Sequence, residues 1–460
     1  MAIFDVEPRI NGDVYFGHNS RDSVILAGKV AEKGVGGDVY FDGSDNFVVL
    51  EVGKRGSGKS YGMGALLEGF ATTAHDSNVG KHKSRRGVLL LDPLDIHWTA
   101  LIPLTADGPE GLKRQHAVMK KWKGLEAEKI AVNVWVPAGF QWTIDHPEFK
   151  TYYLPVSELQ AADWALLLST DLILETRGRL IDEVYQKVTT LGWKSGQTKT
   201  PARKDYSIQD LIACISKDDD IAQFYHAETI RSVVQPLQSF ARMPLFSARG
   251  GTPMTDLVQE GKLSILSMAR LSENLRTVLT AVLVRKLYED RSVASQINRR
   301  LQLQTITEAE RIRLKEELSK HVPRTVLAID EAQILMPARG GDLARSALNS
   351  YVLQGRAFGL SLWLATQRPK GAISDAAVSQ IDTFIVHRLS IADDIAEVTR
   401  SLQNAHPDKV RLQGREIGLP EIIRSLDVGQ AIISSATSDI QRFVIASLRP
   451  RMVAHGGEAF

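Results

Sequence analysis

The segment Gly53–Ser60 has the spacing G-x-x-x-x-G-K-[ST] of a phosphate-binding loop. Glycine lets backbone N–H groups turn inward around phosphate oxygens, and a helix that begins at Lys59 would direct its positive end at the same oxygens. We expect Lys59 to reach the β and γ phosphates and Ser60 to bind Mg²⁺. A flexible surface turn is the alternative, but an apolar run at 47–52 precedes the loop and favours a nucleotide site. The predicted nucleotide-binding residues are Gly53, Arg55, Gly56, Ser57, Gly58, Lys59, Ser60 and Tyr61.

Two acidic residues, Asp330 and Glu331, follow the apolar run 325–329. Nucleotide hydrolysis needs charge neutralisation at the β–γ bridge and an oriented water molecule. We predict that Asp330 holds Mg²⁺ through water and that Glu331 polarises the attacking water. The alternative is an acid pair that caps the next helix.

A third polar side chain, Gln367, stands at the end of a further apolar run, 360–365, and Pro369 follows it. An amide at this place is predicted to sense the γ-phosphate or to hold the attacking water. An amide that is solvated or that caps a turn is the alternative.

The elements that must position these residues are short apolar strands that alternate with helical patterns. This alternation predicts an α/β fold with a parallel sheet. One helix is expected from Lys59 to about Ala74 and another from Ser272, and a charged helical excursion is expected at 291–321. The predicted strands are 47–52, 87–91, 130–136, 262–267, 325–329, 360–365, 383–386, 430–434 and 442–447.

The predicted organisation is a nucleotide-binding core that a helical segment interrupts. The four segments are a reduced β-strand region at 1–45, a first part of the core at 46–99, a mainly helical insertion at 100–260, and a second part with a C-terminal segment at 261–460. The pentamer Gly-Asp-Val-Tyr-Phe occurs at 12–16 and again at 37–41. We interpret the two copies as two strands whose similarity arises by chance.

The composition excludes several classes of protein. With 43% hydrophobic and 24% charged residues, the 460-residue chain is neither disordered nor collagen-like. Cys214 is the one cysteine, so an internal disulfide and a multi-cysteine metal site are excluded, and a cytoplasmic location is expected. No apolar run approaches the ~20 residues of a membrane span, and the N-terminal residues do not resemble a signal peptide. The net charge of +2 limits any nucleic-acid contact to local patches.

Several motifs together resemble the HerA/FtsK superfamily of ring ATPases, with HerA as the nearer match. They are 52–60, 328–333, 354–360 and 364–369, and the tail segments 426–432, 449–451 and 455–457 are similar to the HerA C-terminal pattern. The resemblance implies a RecA-like core that uses ATP and Mg²⁺, a homo-hexameric ring with hydrolysis at subunit interfaces, and movement of double-stranded DNA through the central channel.

The resemblance also carries site residues over to this sequence. By motif match, Lys59, Ser60, Asp330, Glu331 and Gln367 are the nucleotide residues. Arg356 is the best match to an arginine that reaches the phosphate of the neighbouring subunit, and Arg388 competes with it for this role. A surface arginine in an ion pair is the alternative for Arg356.

The sequence departs from the family at two places. The region before the phosphate loop is shorter than the β-barrel of cellular HerA, so we expect only a reduced strand pair, and the usual partner nuclease is in doubt. After the strand 87–91 the sequence has Asp92, Asp95 and His97, where the acid of the family pattern is displaced. These three residues receive no predicted role.

A glycine pair between two arginines, Arg339 and Arg345, is the predicted DNA-contacting loop. Six copies in a ring could bind backbone phosphates in the channel. An ordinary solvated loop is the alternative, and it is the favoured interpretation for the basic stretches 81–86 and 194–204.

The predicted function is an ATP-hydrolysing hexameric motor that translocates double-stranded DNA, together with a nuclease or another effector. The alternative is a regulatory ATPase scaffold that assembles a nuclease or a NAD-hydrolysing, sirtuin-like effector in antiphage defence. A conjugative or secretion motor would usually carry membrane segments. A small-molecule kinase fits less well, because Asp330 and Glu331 suit attack by water better than transfer to an alcohol.

Overall fold

The computed structural model describes residues 4–6, 12–17, 20–34, 36–141, 146–337, 340–368, 378–402, 409–437 and 440–457. The strands are β1 (Phe4–Val6), β2 (Val14–Gly17), β3 (Ser23–Val30), β4 (Asp38–Asp42), β5 (Val48–Val52), β6 (Gly80–His82), β7 (Gly87–Asp92), β8 (Val132–Pro137), β9 (Phe149–Tyr152), β10 (Leu154–Pro155), β11 (Trp193–Ser195), β12 (Thr198–Thr200), β13 (Phe246–Ser247), β14 (Leu263–Ser267), β15 (Thr325–Ile329), β16 (Leu360–Thr366), β17 (Thr383–Val386), β18 (Val410–Leu412), β19 (Arg415–Ile417), β20 (Gln430–Thr437) and β21 (Ile440–Leu448).

The α-helices surround these strands. They are α1 (Lys59–Phe70), α2 (Glu110–Lys120), α3 (Ala161–Leu167), α4 (Thr176–Gln186), α5 (Ile208–Lys217), α6 (Asp219–Phe224), α7 (Ala227–Ala241), α8 (Met254–Leu257), α9 (Glu273–Leu301), α10 (Glu308–Leu318), α11 (Ala332–Leu335), α12 (Asp342–Gln354), α13 (Ala392–Ser401) and α14 (Leu419–Ser425). No helix in the described ranges has the length and the apolar character that would let it cross a membrane.

Fourteen strands form one mixed sheet in the order β2-β4-β3-β21-β20-β17-β5-β16-β15-β7-β14-β8-β9, with β6 paired to β3. All the pairs from β17 to β9 are parallel. The predicted α/β fold with a RecA-like core and a largely parallel sheet is confirmed. Beyond β17 the pairs from β17 through β20, β21 and β3 to β4 are antiparallel, so the predicted core strands at 430–434 and 442–447 are antiparallel to their neighbours.

The parallel strands are apolar on both sides because helices cover both faces of the sheet. Alternate residues of β5 enter different cores: Val48, Leu50 and Val52 pack in one cluster and Val49 in the other. This burial explains the continuous apolar runs by which the strands were predicted from the sequence. It also makes Glu51, a charged residue in the middle of β5, conspicuous.

The two copies of the repeated pentamer lie side by side in the structure. β2 and β4 are parallel, with Tyr15 opposite Tyr40 and Phe16 opposite Phe41. The tyrosine rings stack with their centroids 5.0 Å apart. The prediction of two strands is therefore confirmed. The two copies also pair with each other in register, which the interpretation as a chance similarity did not predict.

The N-terminal strands pair with the C-terminal hairpin. β3 is antiparallel to β21, and the N–H of Gly17 at the end of β2 donates to the Ser435 hydroxyl of β20 at 3.4 Å. The expectation of only a reduced strand pair in this region is wrong, because β20 and β21 extend the N-terminal strands into a five-stranded arrangement. A few short strands alone bury too little apolar surface to be stable.

Two parts of the chain near α1 differ from the sequence prediction. The helix ends at Phe70 and not near Ala74, because the Ala71 carbonyl accepts the N–H of Ala131 at 2.8 Å as the chain begins to pair with residues before β8. The stretch 75–86 is not simply a surface loop, since it contains β6 and the buried side chain of Arg86.

Arg86 is buried because its guanidinium donates to carbonyls of the loop before β5. It bonds the carbonyls of Gly43 and Ser44, both at 3.0 Å, and the Ser361 hydroxyl at 3.1 Å. Burial, with a contribution from the nearby Arg324, lowers the pKa of Arg86 to about 9. Arg86 is therefore a structural residue and is not available to bind DNA.

The helices α3 to α7, which follow β9, pack together. Their buried side chains, among them Trp164, Leu180, Leu211 and Leu237, belong to the larger of the two hydrophobic clusters. The exposed basic stretch 194–204 contains the hairpin β11–β12. The predicted charged excursion corresponds to the end of α9 and to α10, which has no buried residue.

The C-terminal residues after β21 hold the helix that follows the phosphate loop. The Glu68 carboxylate of α1 accepts bonds from Arg449 at 3.3 Å, from Arg451 at 2.7 Å and from the N–H of Met452 at 2.9 Å. All three side chains are fully buried. A Cβ at Gly64 would lie 2.7 Å from the Arg451 guanidinium, so this approach requires glycine.

Replacement of Glu68 by alanine is expected to lower the free energy of unfolding by about 3–5 kcal/mol, because it leaves two buried arginines without their carboxylate. Urea denaturation followed by circular dichroism measures the change. Glu316→Ala, at an exposed position of α10, is the matched control and should stay within about 0.5 kcal/mol of the wild type. Equal unfolding midpoints for Glu68→Ala and the control would contradict the proposed role of Glu68.

Candidate nucleotide-binding site

The phosphate loop connects the end of β5 to the start of α1. Gly58, the N-cap of α1, has a φ of 97°, which favours glycine. A Cβ at Gly53 would lie 2.5 Å from the Ser57 hydroxyl, so glycine is required there for space. β5 lies between β16 and β17, and the chain crosses from one side of β5 to the other after β16. Ligands of open α/β sheets bind at such a switch point, at the carboxyl ends of the strands.

Lys59 extends to the two acidic residues at the end of β15. Its Nζ lies 2.8 Å from Asp330 Oδ1, 3.0 Å from Glu331 Oε1 and 3.5 Å from the Ser60 hydroxyl. Burial alone would lower the pKa of Lys59, but the two carboxylates outweigh it and raise that pKa. Burial would likewise raise the pKa of Asp330, yet Lys59 and the hydrogen bond to His97 hold it well below its usual range. Both groups are therefore charged at neutral pH.

Glu331 is fixed by two amides. Gln367 Nε2 donates to both carboxylate oxygens, at 2.9 and 3.0 Å, and Gln333 Nε2 donates to Oε2. The Thr366 hydroxyl in turn bonds Gln333 Oε1 at 2.8 Å. Glu331 itself has a φ of 46°, an unusual conformation for a residue with a side chain. The structure thus brings together Lys59, Ser60, Asp330, Glu331 and Gln367, as predicted.

Gln333 was not predicted as a site residue. It lies within the motif 328–333, two residues after Glu331, and its position in that motif was the only available signal. An amide two residues after an acid usually faces solvent, so the sequence alone did not distinguish it.

His97 and Asp92 also belong to the site, although no role was predicted for them. His97 Nε2 lies 3.0 Å from Asp330 Oδ2, and the His97 N–H donates to Asp92 Oδ2 at 2.7 Å. Burial, above all, raises the pKa of Asp92. The signal was the acid at the end of the apolar run 87–91, because β7 lies beside β15 and ends at the same edge.

Glu51 and His387 lie behind the phosphate loop and were also missed. Glu51 accepts hydrogen bonds from His387 Nε2 and from Trp363 Nε1, both at 2.8 Å, and neither Glu51 nor His387 is exposed. A Cβ at Gly62 of α1 would approach both Glu51 and His387. The signal was a glutamate inside an otherwise apolar strand pattern, since such a residue must have a buried partner.

The two candidate arginine fingers lie at different places. The Arg388 carbonyl accepts the N–H of Lys54 at 3.1 Å, so Arg388 lies beside the phosphate loop of its own chain. Arg356 lies at the opposite edge of the sheet, where its guanidinium pairs with Asp382 and its carbonyl accepts the side-chain amide of Asn46 at 2.6 Å. The ion pair that was the alternative interpretation for Arg356 is therefore present.

The remaining predicted residues are more dispersed. Arg55 and Gly56 are exposed at the tip of the phosphate loop. The Tyr61 hydroxyl accepts the N–H of Arg451 at 3.0 Å, and its ring contacts His455, so Tyr61 faces the C-terminal segment. Arg339 lies outside the described residues.

Arg345 is engaged by its own loop. Its guanidinium donates to the carbonyls of Met336 at 3.2 Å and Pro337 at 2.7 Å and pairs with Asp342. These contacts fix the residues just before the glycine pair. The structure therefore gives Arg345 a role in holding the loop, whereas its predicted DNA contact stays a prediction.

Comparison with known proteins gives two curated relatives, and no family model matches the chain. The DNA double-strand break repair helicase HerA of Sulfurisphaera tokodaii is 22% identical over 206 residues, which are 45% of this chain and 35% of that protein. The HerA of Saccharolobus solfataricus is 23% identical over 177 residues, 38% of this chain and 29% of that protein. The match therefore spans about a third of the length of the curated relatives.

Among solved structures, VirB4 of Thermoanaerobacter pseudethanolicus aligns with a TM-score of 0.50 and 13% identity, over 95% of this chain and 98% of that chain. It shares the fold. The plasmid coupling protein TrwB, solved in complex with ADP and Mg²⁺, aligns with a TM-score of 0.46 and 14% identity, over 95% of this chain and 97% of that chain.

The predicted resemblance to HerA/FtsK-type P-loop ATPases is confirmed. The fold of P-loop proteins that the phosphate-loop motif predicts is confirmed with it.

The residues present fit ATP and Mg²⁺. The Ser57 hydroxyl is buried and has no hydrogen-bond partner among the described residues, and Gly56 and Gly58 on either side of it have positive φ angles. A hydroxyl at Ser60 and a carboxylate at Asp330 are oxygen donors of the kind that Mg²⁺ prefers. Lys59, Ser60 and Asp330 would therefore hold the nucleotide phosphates and the metal ion.

Glu331→Gln is expected to lower ATP turnover at saturating ATP by about 100-fold or more, because the amide removes the carboxylate that orients water. ATP affinity should remain close to that of the wild type, whereas Lys59→Ala should weaken binding itself. Phosphate release and the binding of a fluorescent ATP analogue measure the two effects. Glu316→Gln on α10 is the control. Turnover by Glu331→Gln that equals that of the control would exclude Glu331 from the chemical step.

Proposed function

We propose that this protein is an ATP-hydrolysing motor that translocates double-stranded DNA as a ring of six identical subunits. One observation carries the proposal: Lys59, Asp330, Glu331 and Gln367 converge at the carboxyl ends of three neighbouring parallel strands. The sequence similarity to the HerA helicases supports the link to DNA.

The chain's own residues account for the proposed hydrolysis. Lys59 binds the terminal phosphates and neutralises their charge. Glu331 accepts a hydrogen bond from the attacking water, and Gln333 and Gln367 hold its carboxylate in one orientation. Ser60 and Asp330 would hold Mg²⁺, which would further neutralise the phosphate charge.

Arg356 is proposed to act on the nucleotide of the neighbouring subunit. It lies beside the start of β5, whereas the phosphate loop follows the end of that strand. A strand of five residues spans roughly 16 Å, which separates Arg356 from its own loop. Its side chain is 40% exposed, so it is accessible from outside the subunit. Arg388, in contrast, is suited to a role within its own subunit.

The DNA contact is proposed to lie in the loop that contains Arg339. The chain is almost neutral overall, so several copies of one basic loop must supply the positive charge. Arg345 bonds the carbonyls of Met336 and Pro337, and it is proposed as a second DNA contact of the same stretch.

A regulatory scaffold that assembles and activates a nuclease or a NAD-hydrolysing effector is the second candidate function. The observation in its favour is the compact N-terminal region, in which β3 pairs with β21 of the C-terminal hairpin and β4 and β2 continue the sheet. Co-expression with a neighbouring nuclease or NADase gene, followed by gel filtration, tests this function. A stable joint complex supports it, and a ring that is fully active alone counts against it.

A mixture of two inactive variants tests whether Arg356 acts on the nucleotide of the neighbouring subunit. Arg356→Ala retains Glu331, and Glu331→Gln retains Arg356. Random 1:1 mixing should therefore bring an intact Glu331 of one subunit beside an intact Arg356 of its neighbour at about one quarter of the interfaces. We expect each variant alone to be inactive and the mixture to recover part of the ATP turnover. The same mixture made with Arg388→Ala is the comparison. No recovery with Arg356→Ala would rule out its action between subunits.

Duplex DNA is expected to stimulate ATP turnover, and Arg339→Ala is expected to weaken DNA binding at every sequence. The slope of log affinity against log salt concentration should fall by about one or more, because a phosphate contact is lost. Fluorescence anisotropy at several salt concentrations measures the slope. Arg313→Ala, exposed on α10, is the matched control. A wild-type ring without DNA stimulation or DNA retention would overturn the motor function.

A further inference from the structure

We propose that His97 is a positioning residue that fixes the carboxylate of Asp330 for Mg²⁺ binding. The inference rests on the proposed ATPase function and deepens it. His97 acts through Asp330, the residue that its Nε2 contacts at 3.0 Å.

The two oxygens of Asp330 have separate partners. Oδ1 accepts bonds from Lys59 Nζ at 2.8 Å and from the N–H of Glu331 at 2.9 Å. Oδ2 lies 3.0 Å from His97 Nε2. The carboxylate is ionised and can only accept, so the proton of this hydrogen bond belongs to His97 Nε2. His97 therefore occupies Oδ2 and leaves Oδ1 on the side of Lys59 and Ser60.

The orientation of His97 is set by Asp92. Asp92 Oδ2 accepts the N–H of His97 at 2.7 Å, and Oδ1 accepts the N–H of Leu94 at 3.1 Å. These two bonds fold the chain after β7 back over the strand end. Because β7 and β15 are neighbours, this fold brings the imidazole directly to Asp330.

The C-terminal segment holds the same loop from its other side. The Thr99 hydroxyl donates to the Ala454 carbonyl at 2.9 Å, and the N–H of Gly456 donates to the Ile96 carbonyl at 3.2 Å. Both His97 and Asp330 are only 1% exposed, so no water competes for their hydrogen bond. Burial and the bond to Nε2 therefore hold the imidazole against Asp330 Oδ2.

A fixed carboxylate matters most when phosphates engage Lys59. The Lys59 ammonium then contacts phosphate as well as Asp330 Oδ1. A carboxylate without a second partner at Oδ2 could rotate. His97 keeps Oδ2 in place, so that Oδ1 remains directed toward the metal position near Ser60. Partners of metal-binding groups typically change metal affinity by about 10–100-fold when they are removed.

The test compares His97→Gln, His97→Asn and His97→Ala. The glutamine amide nitrogen can reach the place of Nε2, whereas the asparagine amide is too short. The affinity of fluorescent ADP is measured with and without Mg²⁺, and the Mg²⁺ concentration for half-maximal effect is determined. The exposed His226→Gln is the matched control, and thermal melting confirms folding.

We expect His97→Ala and His97→Asn to need about tenfold more Mg²⁺, with unchanged ADP affinity in its absence, and His97→Gln to restore most of the wild-type requirement. An unchanged Mg²⁺ requirement in His97→Ala, or an equal loss of ADP affinity without Mg²⁺ in all three variants, overturns the proposal. ADP binding does not depend on hydrolysis. A wild-type protein that binds ADP and Mg²⁺ but splits no ATP would therefore contradict the proposed function and leave this inference standing.

Discussion

The buried contact of the Lys59 ammonium with Asp330 and Glu331 is the interaction on which the site depends. An ammonium with 3% of its side chain exposed is stable only beside compensating carboxylates. The acids are close enough because β15, β16 and β5 are parallel neighbours that end at the same edge of the sheet. The parallel sheet, the phosphate loop and the acidic end of β15 therefore depend on one another, since loss of any of them would leave a buried charge without its partner.

A second set of buried polar and charged side chains holds the elements on either side of the phosphate loop. Glu68 joins α1 to Arg449 and Arg451, and Glu51 joins β5 to His387. The helix and the strand that enclose the phosphate loop are thus each held by hydrogen bonds of defined geometry. Apolar packing alone tolerates small shifts, whereas paired buried charges do not. This combination suits a loop whose backbone must keep its N–H groups directed at a phosphate.

Much of the core could be predicted from the sequence, because strands buried on both faces give continuous apolar runs and the phosphate loop has a fixed spacing. The runs 325–329 and 383–386 coincide with β15 and β17. What could not be predicted depends on contacts between distant residues. Arg86 was interpreted as a solvated charge and Arg345 was predicted to contact DNA, but each donates to backbone carbonyls. The roles of His97 and Glu51 depend on partners that are far away in the chain. The role of Gln333 depends on the direction in which the chain leaves the end of β15, which cannot be read from the sequence.

The pairing of β3 with β21 has a consequence for biosynthesis. The two strands are separated by some four hundred residues. β6 can pair early with residues 23–25 of β3, but residues 28–30 gain their partner only after β21 has left the ribosome. Part of the β3 edge therefore stays exposed while the parallel part of the sheet forms. Exposed edges of this kind favour wrong pairing, so newly made chains are vulnerable until translation reaches the last hairpin.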